Sequence, residues 1–171
     1  WGGVCINVAM LASTYETVMK KPYFGLDYKG LDKYAQYQVY FSDPSGFSNN
    51  FRDSYYQQYH SPGQFYLADE FGQVGLMKYR VECMDRYNWA PDVWDLLWYD
   101  CTAESSQESI ELDKDAYYRE TEYVSMRENW EDEGALWVST HGGYSNNAHD
   151  HIDPGAFILN LGGVRWAVDL G

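Results

Sequence analysis

The stretch Phe157-Ile158-Leu159-Asn160-Leu161-Gly162-Gly163-Val164-Arg165-Trp166-Ala167-Val168-Asp169 reads as a tight antiparallel hairpin. Phe157, Leu159 and Leu161 alternate along one strand, and Val164, Trp166 and Val168 resume the alternation on the other. Gly162-Gly163 between them is the two-residue turn that such hairpins need, because both central positions take positive φ. The apolar set is expected to face the core, which puts Arg165, Ala167 and Asp169 on the opposite face. Upstream, residues 123–127 and 135–140 have strand composition, with Glu131-Asp132-Glu133-Gly134 as the turn between them. An antiparallel sheet is therefore expected at the C-terminal end of the chain.

Before residue 101 the period changes from two to that of a helix. Val4, Val8, Leu11, Tyr15 and Val18 recur at helical spacing over residues 1–20, and Lys20-Lys21-Pro22 closes the run. Further helices are expected over 31–41, over 64–77 or slightly beyond, and over 91–99 with Pro91 in the first turn. Residues 42–62, rich in Ser, Asn, Gly, Pro and Asp, read as loop, and the polar, acidic stretch 102–115 reads as a connector. Helices come first and a sheet second, which is an α+β arrangement. The organisation expected is a helical part over 1–101, a connector over 102–116 and a sheet part over 117–171.

The chain has 171 residues, with 12 Lys+Arg against 26 Asp+Glu and a formal net charge of −14. That balance, without a basic patch, argues against nucleic acid as a partner. No apolar run approaches the ~18 residues of a membrane span. With 45% hydrophobic and 18% aromatic residues the chain has the means to bury a core. Cys5, Cys83 and Cys101 form no CxxC pair; Cys83 and Cys101 either pair with each other or remain free thiols. The chain opens on Trp1 without an initiator Met and closes inside a hairpin arm, so it is expected to be a segment of a longer polypeptide.

Of four histidines, His60, His141, His149 and His151, three fall within eleven residues. In Asn146-Asn147-Ala148-His149-Asp150-His151-Ile152-Asp153-Pro154-Gly155, His149, His151 and Asp153 stand two apart. On an extended backbone they share a face, and two imidazoles with a carboxylate are a donor set that zinc favours. A loop of solvated histidines with an Asp-Pro-Gly turn is the competing reading. Asp169 interrupts an apolar strand, where a charge is costly unless it is paired, hydrogen-bonded or on a metal. It could equally lie on the outer face of the hairpin, and register alone does not bring it to His151.

Four segments carry a resemblance to a family. Arg127-Glu128-Asn129-Trp130, Ala135-Leu136-Trp137-Val138, His149-Asp150-His151-Ile152-Asp153-Pro154-Gly155-Ala156-Phe157 and Gly163-Val164-Arg165-Trp166-Ala167-Val168-Asp169-Leu170-Gly171 resemble, in order and spacing, the heparinase II/III-like polysaccharide lyases. The match covers residues 123–171; over 1–100 it is looser, and Trp1-Gly2-Gly3 looks like the stretch just after the family's catalytic tyrosine. The resemblance implies the last helices of an α/α toroid followed by the first strands of an antiparallel β-sandwich. It implies β-elimination on a uronic-acid-containing glycan, an anionic polysaccharide or oligosaccharide, and a periplasmic or extracellular location. His149 maps to the catalytic histidine of the cleft. His151 and Asp169 map to ligands of a structural zinc whose third ligand would lie beyond Gly171. Asp153 is expected to orient an imidazole from outside the ligand set, and Arg127 either lies near the cleft or pairs with a neighbouring acid. The segment alone would be inactive, since the remaining catalytic residues would precede Trp1.

The net charge of −14 repels a polyanion at long range, so a glycan less charged than heparin is expected. Two other functions compete: a non-catalytic carbohydrate-binding protein on the same zinc-stapled scaffold, and a cupin-like metalloprotein. The helical first half disfavours the second of these, because cupin barrels are all-β.

Overall fold

A computed structural model describes residues 2–27, 29–58, 61–101, 103, 110–143 and 151–170. The described chain is α+β, with five helices and a five-stranded antiparallel sheet. It divides into two compact units, Trp1–Val39 with His60–Glu111, and Tyr40–Tyr59 with Leu112–Gly171.

The first unit is helical. It holds α1 (Gly2–Met19), most of α2 (Tyr34–Tyr40), α3 (Gly63–Glu70), α4 (Val74–Arg86) and α5 (Val93–Trp98). The single helix expected over 64–77 is two helices, because Gly72 takes a φ of +64° and ends α3. Pro91 lies just outside α5, whose N-cap is Asp92. Asp92 accepts from the Asp95 backbone N–H while the Asp95 side chain accepts from that of Asp92, a closed capping box.

The stripe expected to bury α1 is displaced. Cys5, Ala9 and Ala12 are the buried residues, while Val4, Leu11 and Val18 are exposed. Small side chains win the interface because α1 and α3 approach closely: a Cβ on Gly63 would stand 2.6 Å from the carbonyl oxygen of Cys5. Arg80 is fully buried, pairs with Asp95, lies 3.4 Å from Gln64 Oε1 and stacks 4.6 Å over Phe65. It thus ties α4 to both α3 and α5. Cys83 and Cys101 are not joined; Cys5 and Cys83 are buried and Cys101 is exposed.

The second unit is built on a meander. β1 (Asp115–Tyr118), β2 (Tyr123–Arg127), β3 (Trp137–His141), β4 (Phe157–Leu161) and β5 (Val164–Ala167) pair in sequence order, each antiparallel to the next. The Gly162-Gly163 turn forms as expected, with φ of +64° and +72°. β1 begins at Asp115 inside the expected connector and runs into the expected sheet part; its sequence, Asp-Ala-Tyr-Tyr, is too short to show alternation.

Residues 40–58, read from sequence only as the end of a helix and a loop, cover one face of this sheet. Trp137 Nε1 donates to the Tyr40 carbonyl at 3.2 Å and to Ser125 Oγ at 3.1 Å, and Ser125 Oγ donates to the same carbonyl. Phe41 and Phe51 meet Tyr123 edge-on.

The covered face is not the one expected in β4 and β5. Ile158 and Asn160 are buried and Arg165 is turned inward, while Phe157, Leu161, Val164 and Trp166 are exposed. Alternation separates two faces without saying which is covered. The covering segment brings a buried carboxylate, Asp43, and that selects the polar face. Asp43 Oδ2 accepts from Arg165 Nη2 at 2.6 Å and from Asn160 Nδ2 at 3.0 Å, while Oδ1 accepts from the backbone N–H groups of Ser45 and Phe47. The buried charge is thereby paired and fully hydrogen-bonded.

Candidate metal centre

The alternation of burial seen in β5 continues beyond it: Arg165, Ala167 and Asp169 are half-buried, and Trp166 and Val168 between them are exposed. Asp169 follows β5, and its carbonyl accepts from Asn50 Nδ2 at 2.6 Å. Opposite it, the turn after His151 is locked onto the end of β3. The Gly155 N–H donates to the His141 carbonyl at 2.7 Å, and the Ala156 N–H to the Asp153 carbonyl at 2.9 Å. Gly155 takes a φ of +92°, a conformation that favours glycine.

These two segments bring His151, Asp153 and Asp169 together. One donor atom from each lies within 4.8 Å of the others, and all three residues are half-buried. His151 Nε2 lies 3.4 Å from Asp53 Oδ1, and its Nδ1 is shielded from solvent with no hydrogen-bond partner among the described residues. Both carboxylate oxygens of Asp153 are likewise shielded and accept no hydrogen bond from the described residues. Asp153 Oδ2 is 3.5 Å from His141 Nε2, which also lacks a hydrogen-bond partner among the described residues.

A shielded carboxylate without donors is costly, and a cation removes that cost. The donor set of one imidazole and two carboxylates fits a divalent metal. The partners of His151 divide in a familiar way: one ring nitrogen faces a carboxylate that can orient it, leaving the other for a metal. Asp53 thus lies where it can orient the His151 ring, while Asp153, expected to orient an imidazole, lies beside His141 and within reach of the same donor group.

His149, the candidate catalytic residue, lies outside the described residues, as does His60. Arg127 is buried in the second unit. Its Nη2 donates to the Ser42 carbonyl at 2.7 Å, and its guanidinium lies 3.8 Å over the Trp130 ring. Those contacts hold residues 40–42 on the sheet. Asp53 and Asn50 gave no signal in the sequence, since they sit in a loop-like run far from the motif. His141 was visible as one of three clustered histidines, yet its spacing to His151 matches no ligand motif.

No family model matches the chain, and no curated protein matches it.

Proposed function

We propose that this chain belongs to a polysaccharide lyase that cleaves a uronic-acid glycan by β-elimination, with a structural zinc held by His151, Asp153 and Asp169. The observation that carries the reading is the convergence of His151 and Asp169. They come from the two motif segments of the resemblance, and sequence register alone did not bring them together. Zinc in this place supplies rigidity: it would fix the segment that presents His149. The exposed outer face of the sheet, with Met126, Phe157, Leu161 and Val164, suits a sandwich in which a second sheet covers it.

The chemistry sets the roles. Elimination begins with loss of the proton on the carbon next to the uronate carboxylate. The carboxylate charge must be offset by donors or a cation, since otherwise the carbanion is too costly. One group takes the proton and another protonates the departing glycosidic oxygen; histidine serves either role near neutral pH. His149 is the residue of this chain assigned to that proton transfer. The net charge of −14 favours a uronate glycan of lower charge density than heparin.

The test is an ultraviolet assay for the unsaturated uronate end, run with the full-length protein on alginate, hyaluronan, chondroitin and heparan types. Absorbance is expected to rise on one of them and to stay flat with His149→Ala. A flat trace on every glycan with binding retained would refute catalysis and leave the carbohydrate-binding reading.

A further inference from the structure

Two donors of the proposed centre, from separate motif segments, are held by one short piece of the covering segment, residues 50–53. Asn50 Nδ2 donates to the Asp169 carbonyl at 2.6 Å, and Asp53 Oδ1 lies 3.4 Å from His151 Nε2. Between them Phe51 is buried, with its ring against Tyr123 at 5.6 Å between centroids and against His141 at 4.6 Å. Tyr123 and His141 are paired neighbours where β2 begins and β3 ends. The chain then turns: the Ser54 N–H donates to the Phe51 carbonyl at 3.2 Å, and Arg52 takes a φ of +59°. A residue other than glycine keeps that conformation where its surroundings fix it. Here the Arg52 guanidinium lies 5.4 Å over the same Tyr123 ring. The turn is thus anchored by strand residues and not by the metal donors, which leaves it able to position them.

What each ring nitrogen of His151 faces sets its role. A carboxylate only accepts, so Nε2 carries the hydrogen toward Asp53 and Nδ1 presents the lone pair. Nδ1 is the nitrogen that is shielded from solvent without a hydrogen-bond partner among the described residues. The 3.4 Å to Asp53 is longer than the ~2.7–2.9 Å of a charge-assisted hydrogen bond. A cation on Nδ1 would make the Nε2–H a stronger donor and draw the carboxylate in. The Asp53 side chain is 59% exposed, so it fills no part of the core.

We infer that residues 50–53 form a clip that sets the metal centre from outside it. Asn50 and Asp53 are positioning residues, Asn50 for Asp169 and Asp53 for His151, which binds through Nδ1. The inference rests on the centre proposed above and leaves its ligands as they are.

The experiment is a competitive zinc titration of the metal-stripped full-length protein against a chromophoric chelator, for wild type, Asp53→Ala, Asn50→Ala and His151→Ala. Urea unfolding of the same metal-stripped proteins accompanies it, with nitrogen-15 spectra of the wild-type histidine rings before and after zinc. Asp53→Ala and Asn50→Ala are each expected to weaken zinc binding by about 10–100-fold, the range for partners that orient a ligand. Without metal, Asp53→Ala should unfold at the wild-type urea concentration, which separates positioning from folding. Zinc should move the His151 Nδ1 resonance and leave Nε2 protonated.

Zinc binding within about threefold of wild type in either variant, well short of the loss of an orienting partner, overturns the clip. So does a spectrum in which zinc occupies Nε2, or a metal-free Asp53→Ala that unfolds well before wild type. If His151→Ala also binds zinc as wild type does, the metal centre itself is refuted. If His151→Ala alone loses zinc, the centre stands and the clip falls. Should Asn50→Ala fail to fold, Asp53→Ala and the ring spectrum decide.

Discussion

Replacing Asp43 with alanine tests the most consequential feature of the second unit, the polar face turned inward. The carboxylate is buried, and its Oδ2 receives Arg165 Nη2 at 2.6 Å, Arg165 Nε at 3.2 Å and Asn160 Nδ2 at 3.0 Å. Its Oδ1 receives the Ser45 N–H at 2.9 Å and the Phe47 N–H at 3.0 Å. Without it, Arg165 stays buried with only the Phe47 and Ser48 carbonyls as acceptors. Removing one partner of a buried ion pair costs about 3–5 kcal/mol. With a urea slope of about 1.5 kcal/mol per molar, the unfolding midpoint should fall by roughly 2–3 M. Tryptophan fluorescence during urea unfolding reads this directly, because Trp137 sits in that core.

A second substitution sharpens the test. With Arg165→Met the stranded charge is gone, so the double variant should recover part of the loss, about 0.5–3 kcal/mol of coupling. Because the covering segment that carries Asp43 also carries Asn50, which donates to the Asp169 carbonyl, Asp43→Ala should also weaken zinc binding. A midpoint shift below about 0.7 M, or losses that simply add in the double variant, would show that this pair does not decide which face is covered.

Two further outcomes are expected. Gly63→Ala should lower the melting temperature, because the new Cβ meets the Cys5 backbone at 2.6 Å and α1 must move away; overpacking of this kind costs about 1–3 kcal/mol, and an unchanged melt would refute the close approach of α1 and α3. In thiol labelling near pH 8, only Cys101 should react in the native protein and all three cysteines after denaturation: burial pushes the Cys5 and Cys83 thiols up to about 11, which suppresses the thiolate, whereas Cys101 is exposed, and native labelling of Cys83 would contradict its burial.

Much of the architecture was legible because it depends on local periodicity. The helical spacing over 1–20, the strand composition of 123–127 and the Gly162-Gly163 turn each constrain only neighbouring residues, and each corresponds to an observed element. The candidate donors His151, Asp153 and Asp169 were legible by chemistry, since metal-donor types and a charge inside an apolar strand are conspicuous in any fold. The two faces of the last strands were also separable, because side chains alternate on an extended chain whatever surrounds them.

Which face went inside was not legible. That depended on residues 40–58 folding over the sheet and bringing Asp43 to Arg165, a pairing of residues over a hundred positions apart. For the same reason α1 buries Cys5, Ala9 and Ala12 rather than its larger apolar residues: how closely two helices approach is a property of the pair. Asp53 beside His151 and His141 beside Asp153 likewise arise from segments that meet only in three dimensions. Sequence alone thus determined most of the elements and the donor types, because both are largely local properties. Tertiary structure alone decided what faces inward and which donors meet, because burial and convergence are set by the partner that covers a surface.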